Sequence, residues 1–194
     1  MDINDRRSLR QQAEKYLKDL EELFGPRDPR FVFSSIERSS NRYPHTDYPN
    51  EFSLDGDCAV SIHVTSDAYD GRQISQCLWQ IAHECVHLLD PCRKGEANFL
   101  EEGLATWFQD EKRYHSADVQ SYIDSVKFHS PTYTEAKALV ELCMPELSYS
   151  VRRIRSNGVR LKDFTPELLH DLVCPGKIDQ AVLDRLCTKF PIKK

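Results

Sequence analysis

No stretch of this 194-residue chain is apolar for long enough to cross a bilayer, which takes about 20 predominantly apolar residues in a helix. The opening MDINDRRSLRQQAEKYLKDLEELF mixes acids and bases and lacks the apolar centre of a secretory signal. A cytoplasmic location is therefore expected. The seven cysteines (Cys58, Cys77, Cys85, Cys92, Cys143, Cys174, Cys187) are an odd number and contain no C-x-x-C pair, which argues against a disulfide framework. Most sit inside apolar runs, so reduced, buried thiols are expected. No internal repeat or low-complexity tract appears. The net charge of −5 excludes a nucleic-acid footprint over the whole surface. One basic cluster, VRRIR at 151–155 followed by Arg160 and Lys162, reads as a solvated helix face.

What is present is the composition of an ordinary globular chain, 40% hydrophobic and 29% charged, long enough for one domain spanning 1–194 with a sizeable core. Residues 5 to 24 repeat Leu9, Ala13, Tyr16, Leu17, Leu20 and Leu23 at helical spacing and stop at Gly25-Pro26, a helix-ending pair. Two strands follow, Arg30 to Ile36 and Cys58 to Thr65. The second alternates Cys58, Val60, Ile62 and Val64 with Ala59, Ser61, His63 and Thr65, as a half-exposed strand does. The segment between them is rich in turn formers, and Gly71 marks a boundary before a long helix. Beyond residue 96 the pattern is helical, punctuated by prolines; Thr165-Pro166-Glu167 marks a helix start. The expected fold is α+β: a small, mostly antiparallel sheet with the first helix in about 1–70, two further helices in about 72–112, and a helical remainder over about 116–190.

Within QIAHECVHLLD, residues 80–90, His83-Glu84-x-x-His87 puts two imidazoles one helical turn apart. Chance supplies such a motif in about two of every hundred chains of this composition, so the motif needs support. At 100° per residue, His83 and His87 lie 40° apart and Glu84 beside them, while Leu78, Ile81, Ala82, Cys85, Val86 and Leu89 fill the opposite arc. Two imidazoles so placed can share one tetrahedral Zn²⁺, with the glutamate aimed at a water. A catalytic zinc takes a third protein ligand and leaves a fourth position open. NFLEEGLATWFQDE, residues 98–111, offers one. With Glu102 at 0°, Leu100, Leu104, Trp107 and Phe108 face away, Thr106 and Gln109 flank it, and Glu101 borders the apolar arc. Glu102 is the expected ligand and Glu101 its solvated neighbour. Pro91 and Gly95 allow the chain to turn back.

HECVH followed by EEGLATW resembles the gluzincin metallopeptidases, over residues 72 to about 110. That resemblance implies that His83, His87 and Glu102 bind zinc and that Glu84 is the general base. Only fourteen residues separate His87 from Glu102, which resembles the small single-domain members. Where thermolysin-like enzymes carry an aspartate behind a ligating histidine, this chain has Thr106, and Asp90, on the His83 face, is the expected substitute. The G-x-M-E-N signature of the M1 aminopeptidases is absent, so an endopeptidase acting on a peptide or protein substrate is expected, with no membrane or nucleic-acid partner.

For the oxyanion, SPTYTEAKALVELC resembles the tyrosine-bearing helix of several small gluzincins and points to Tyr133, with His115, His129 and Tyr149 as other donors. An extended substrate is expected along a free edge of the Cys58–Thr65 strand. The alternative is a zinc-binding regulatory or interaction protein that keeps the site without turnover.

Overall fold

The computed structural model describes residues 3–41, 43–47, 58–91, 95–126, 130–144, 146–170 and 178–191. In chain order the elements are α1 (Ile3–Phe24), β1 (Phe31–Arg38), β2 (His45–Asp47), β3 (Cys58–Val64), α2 (Ser66–Asp70), α3 (Ile74–His87), α4 (Phe99–Asp110), α5 (Ala117–Ser125), α6 (Pro131–Cys143), α7 (Glu146–Ser156), α8 (Pro166–His170) and α9 (Gln180–Leu186). The fold is α+β and mostly helical, with its one described sheet near the N-terminus. No described helix is long and apolar enough to cross a membrane. The contacts divide the chain into two compact units, one drawn from 1–19, 27–91 and 108–127, the other from 20–26, 92–107 and 128–194.

The first unit is built on the sheet, whose order is β1-β3-β2. β1 runs parallel to β3 from Phe31 opposite Cys58 to Arg38 opposite Val64, with a register shift between Phe33 and Ser35. β2 runs antiparallel to β3, with His45 opposite His63 and Asp47 opposite Ser61. The sheet is therefore mixed, not mostly antiparallel, and its longer pairing is the parallel one. Parallel neighbours need a long connection. Residues 39–57 supply it, and β2 lies inside that stretch, where the sequence reads only as turns.

The same arrangement corrects the expected free edge at Cys58–Thr65. β3 is central, with β1 along one side and β2 against Ser61, Ile62 and His63 on the other. Alternation did reveal which face of β3 is buried, since Cys58, Val60, Ile62 and Val64 are all in the core. It carries no information on the hydrogen-bonding edges, which lie at right angles to the side chains. α1 joins this unit through Arg10, whose Nη1 donates to the Ser34 carbonyl at 3.0 Å, and through Tyr16, whose ring meets Phe108 edge-on at 5.8 Å. The apolar arc that periodicity marks on α3 is buried at Ile81, Ala82, Cys85 and Val86, but burial goes beyond it to Cys77, Gln80 and Glu84. Of the cysteines, Cys58, Cys77, Cys85 and Cys143 are buried free thiols and Cys187 a half-buried one. Burial pushes the Cys77 thiol up to about 11.

The second unit starts where α1 ends. Gly25 takes φ +92°, a left-handed conformation that glycine adopts without a Cβ penalty. The carbonyls released there are taken by α7. Arg155 donates Nη1 to the Phe24 and Gly25 carbonyls and Nη2 to Pro26, each at 2.9 Å, and Arg152 donates to Glu22 at 3.0 Å. Cations at a helix C-terminus satisfy both its dipole and its unpaired acceptors. The basic cluster is thus not simply a solvated face: Arg155 is buried.

In the same unit α6 crosses α4 at Gly103. A Cβ there would stand 2.5 Å from the Ala136 carbonyl oxygen and 2.7 Å from Val140 Cγ2, which accounts for the glycine of E-G-L-A. Helix propensity alone would favour alanine by about 1 kcal/mol. A clash with backbone cannot relax by turning a side chain, so Gly103→Ala is expected to lower stability by about 1–3 kcal/mol, read as a lower urea midpoint at unchanged m-value. A midpoint at or above that of the parent would show that α6 can move aside.

Candidate metal centre

The two histidines come from the last turns of α3. Their rings lie edge to face, with centroids 5.2 Å apart and planes at 62°. Both are partly exposed, whereas Glu84 between them is only 4% exposed. His83, His87 and Glu102 each offer a ligand atom, and these atoms all lie within 4.8 Å of one another. The group can hold a metal ion. Among the described residues no other set of three His, Cys, Asp or Glu side chains does so.

The donor chemistry narrows the cation. Two imidazole nitrogens and one carboxylate suit a divalent transition metal such as zinc, while calcium and magnesium prefer all-oxygen sets. Glu102 is buried, and its Oε2 oxygen accepts no hydrogen bond.

His83 is oriented from α4. Its Nδ1 lies 2.8 Å from Gln109 Oε1; a carbonyl oxygen there accepts the Nδ1 proton and leaves Nε2 as the ligand nitrogen. Gln109 and Glu102 are seven residues, two turns, apart on one helix, so α4 carries both a ligand and the group that turns another ligand toward it. This is the role the sequence assigned to Asp90. The signal for Gln109 was legible, since it flanks Glu102 in the helical phase, but glutamine replaces the carboxylate usually sought. Thr106, one turn after Glu102, is fully buried and donates its hydroxyl to the Glu102 carbonyl at 2.8 Å.

Glu101 departs from expectation. It is fully buried, not solvated. α4 is enclosed on every side over Phe99–Gln109, so the apolar arc of its helical wheel marks no boundary between protein and solvent. The wheel separates the two glutamates by direction and says nothing of exposure.

Glu84 meets a partner that the sequence did not suggest. The hydroxyl of Thr46, in β2, donates to Glu84 Oε2 at 2.8 Å. α3 is held to the end of β3 in the same way: Gln80 Oε1 accepts the Thr65 amide at 2.9 Å, and Gln80 Nε2 donates to the Thr65 hydroxyl, also at 2.9 Å.

Three of the four oxyanion candidates lie among the described residues. Tyr133 stands in the first turn of α6 with its ring against Phe190, centroids 4.9 Å apart, beside the cluster of Phe99, Ala136 and Phe190. His115 is buried: Nδ1 accepts from the Tyr16 hydroxyl at 2.7 Å and Nε2 donates to the Phe108 carbonyl at 3.3 Å. Burial lowers its pKa and raises that of Tyr16, so the pair is a neutral structural link. Tyr149 is an exposed residue of α7, and His129 lies outside the described residues.

No protein-family model matches the chain, and neither the curated proteins nor the solved structures include a match to it. The likeness to the gluzincins rests on the two motifs alone.

Proposed function

We propose that this protein is a zinc-dependent endopeptidase of gluzincin type, with His83, His87 and Glu102 as ligands and Glu84 as the general base. The observation that carries the reading is the pairing of a three-ligand group with a nearly buried glutamate that follows His83 directly and stays outside that group. A purely structural site has no use for such a carboxylate and is usually closed by a fourth ligand. The cation, when bound, supplies Lewis acidity, which acidifies water and polarises a carbonyl.

The chain's own residues do the rest. Gln109 keeps the His83 Nδ1 proton away from the cation. Thr46 occupies Oε2 of Glu84, so Oε1 is the oxygen that takes a proton from the attacking water and returns it to the leaving amine. A substrate in extended conformation finds main-chain partners on the outer edge of β2, the strand that bonds Glu84 through Thr46, in place of the paired stretch of β3. Tyr133 is given no step.

The test is a proteome-derived peptide library incubated with zinc-replete protein and read by mass spectrometry. Internal cuts are expected, with a side-chain preference near the scissile bond. Release of single N-terminal residues from many peptides would make the protein an aminopeptidase. No cleavage by protein holding a full equivalent of zinc would replace this reading with that of a non-catalytic zinc-binding protein.

A further inference from the structure

We propose that Thr46 is a positioning residue for Glu84, tying the alignment of the base to the strand on which an extended substrate would lie. This rests on the peptidase reading. Thr46 is the middle residue of β2, and alternation sends it to the face opposite its neighbours. On the other face His45 stacks on His63 with centroids 4.7 Å apart, and Asp47 Oδ2 lies 3.8 Å from His63 Nε2. Thr46 pairs with Ile62, a core residue, and reaches Glu84 Oε2 at 2.8 Å.

That single bond does two things. A threonine hydroxyl has one hydrogen to give, so donation to Oε2 distinguishes the two carboxylate oxygens and leaves Oε1 for the proton. It also removes a freedom that the side chain would otherwise keep, because the terminal torsion of a glutamate is broad and has no sharp staggered wells. A general base works within about 2.6–3.2 Å of the proton it takes, and a displacement of about 1 Å at such a site can cost about 100-fold in rate.

β2 therefore has two roles in one tripeptide: its outer edge, which pairs with no other strand among the described residues, would receive an extended chain, and its central side chain sets the base. A substrate that pairs with β2 steadies the strand that carries Thr46. A peptide too short to pair forfeits rate as well as affinity, as expected when remote binding energy is used for alignment.

The experiment compares Thr46→Val, Thr46→Ser and Glu84→Gln, each with measured zinc content. Two readouts are taken: kcat and KM on an internally cleaved peptide, and the Glu84 carboxylate stretch by infrared difference against Glu84→Gln, with and without zinc. Thr46→Val is expected to keep zinc, lower kcat about 10- to 100-fold with KM within about twofold, and shift the carboxylate band. Thr46→Ser, which restores the hydroxyl and not the methyl, is expected to recover both. Wild-type kcat and an unshifted band in Thr46→Val would overturn the proposal. So would a serine variant as impaired as the valine one, since shape and not the hydroxyl would then matter. If Glu84→Gln loses no activity, it is the base assignment that fails; the band of the zinc-free protein still reports whether Thr46 holds the carboxylate, and an unshifted band there overturns the positioning role whatever the hydrolysis shows.

Discussion

Alanine at His87 is expected to leave the protein folded and unable to retain zinc through gel filtration, with affinity lower by more than about 100-fold. The scale follows from ligand geometry: altering a residue that merely orients a ligand costs about 10- to 100-fold, and removing one of three ligands costs more. The substitution is mild for the fold, because His87 is only partly buried, ends α3, and is replaced by the best helix former. His83→Ala is expected to behave alike. Gln109→Leu, which keeps the size and removes the acceptor 2.8 Å from His83 Nδ1, is expected to fall in the 10- to 100-fold range. Metal content by mass spectrometry and competition with a chromophoric chelator give the three values, with circular dichroism as the check on folding. A full equivalent of zinc in both histidine variants would remove the site, and iron in place of zinc in the parent protein would change the chemistry assigned to it.

Glu84→Gln tests the chemistry separately from the metal. The amide matches the carboxylate in size inside a pocket where Glu84 is 4% exposed, and its oxygen can still accept from Thr46. It cannot take a proton. Zinc content and thermal stability are therefore expected to stay near those of the parent, while kcat falls by about 10²- to 10⁴-fold, the range of general acid–base assistance. KM is expected to change little, since a group acting in the transition state contributes little to ground-state binding. Equal turnover by parent and variant on the same internally cleaved peptide would exclude Glu84 as the base. Loss of zinc in the variant would mean that Glu84 belongs among the ligands.

Much of the site could be read from the chain because its spacing is local. His83, Glu84 and His87 share one helix; the helical phase sets them apart from Ile81, Ala82, Cys85 and Val86, which are buried, although Glu84 is buried as well. Glu102 was legible through the phase of a second helix and through the resemblance of EEGLATW. Residues outside those windows were harder. Gln109 was visible as a neighbour of Glu102 but not as a partner of His83, since that contact joins two helices. Thr46 had no signal: three residues of strand within a turn-rich stretch fall below what period-2 alternation can reveal. Glu101 failed for the opposite reason, because a helix buried on every side has no polar face for periodicity to find.

The sequence by itself determined the helices and strands that carry their own period, the turn at Gly25, and the set of nitrogen and oxygen donors available to a metal. Each depends on neighbours within a few residues, where backbone geometry leaves little choice. Tertiary structure decided the rest: that β1 and β3 are parallel with β2 on the far edge, that Arg155 closes α1, that Gly103 admits α6, and that Thr46 and Gln109 reach Glu84 and His83. These pairings join residues 14 to 131 positions apart, the contact at Gly103 with Ala136 and Val140 among them. Periodicity reports which face of an element is buried, and only packing reports what it is buried against.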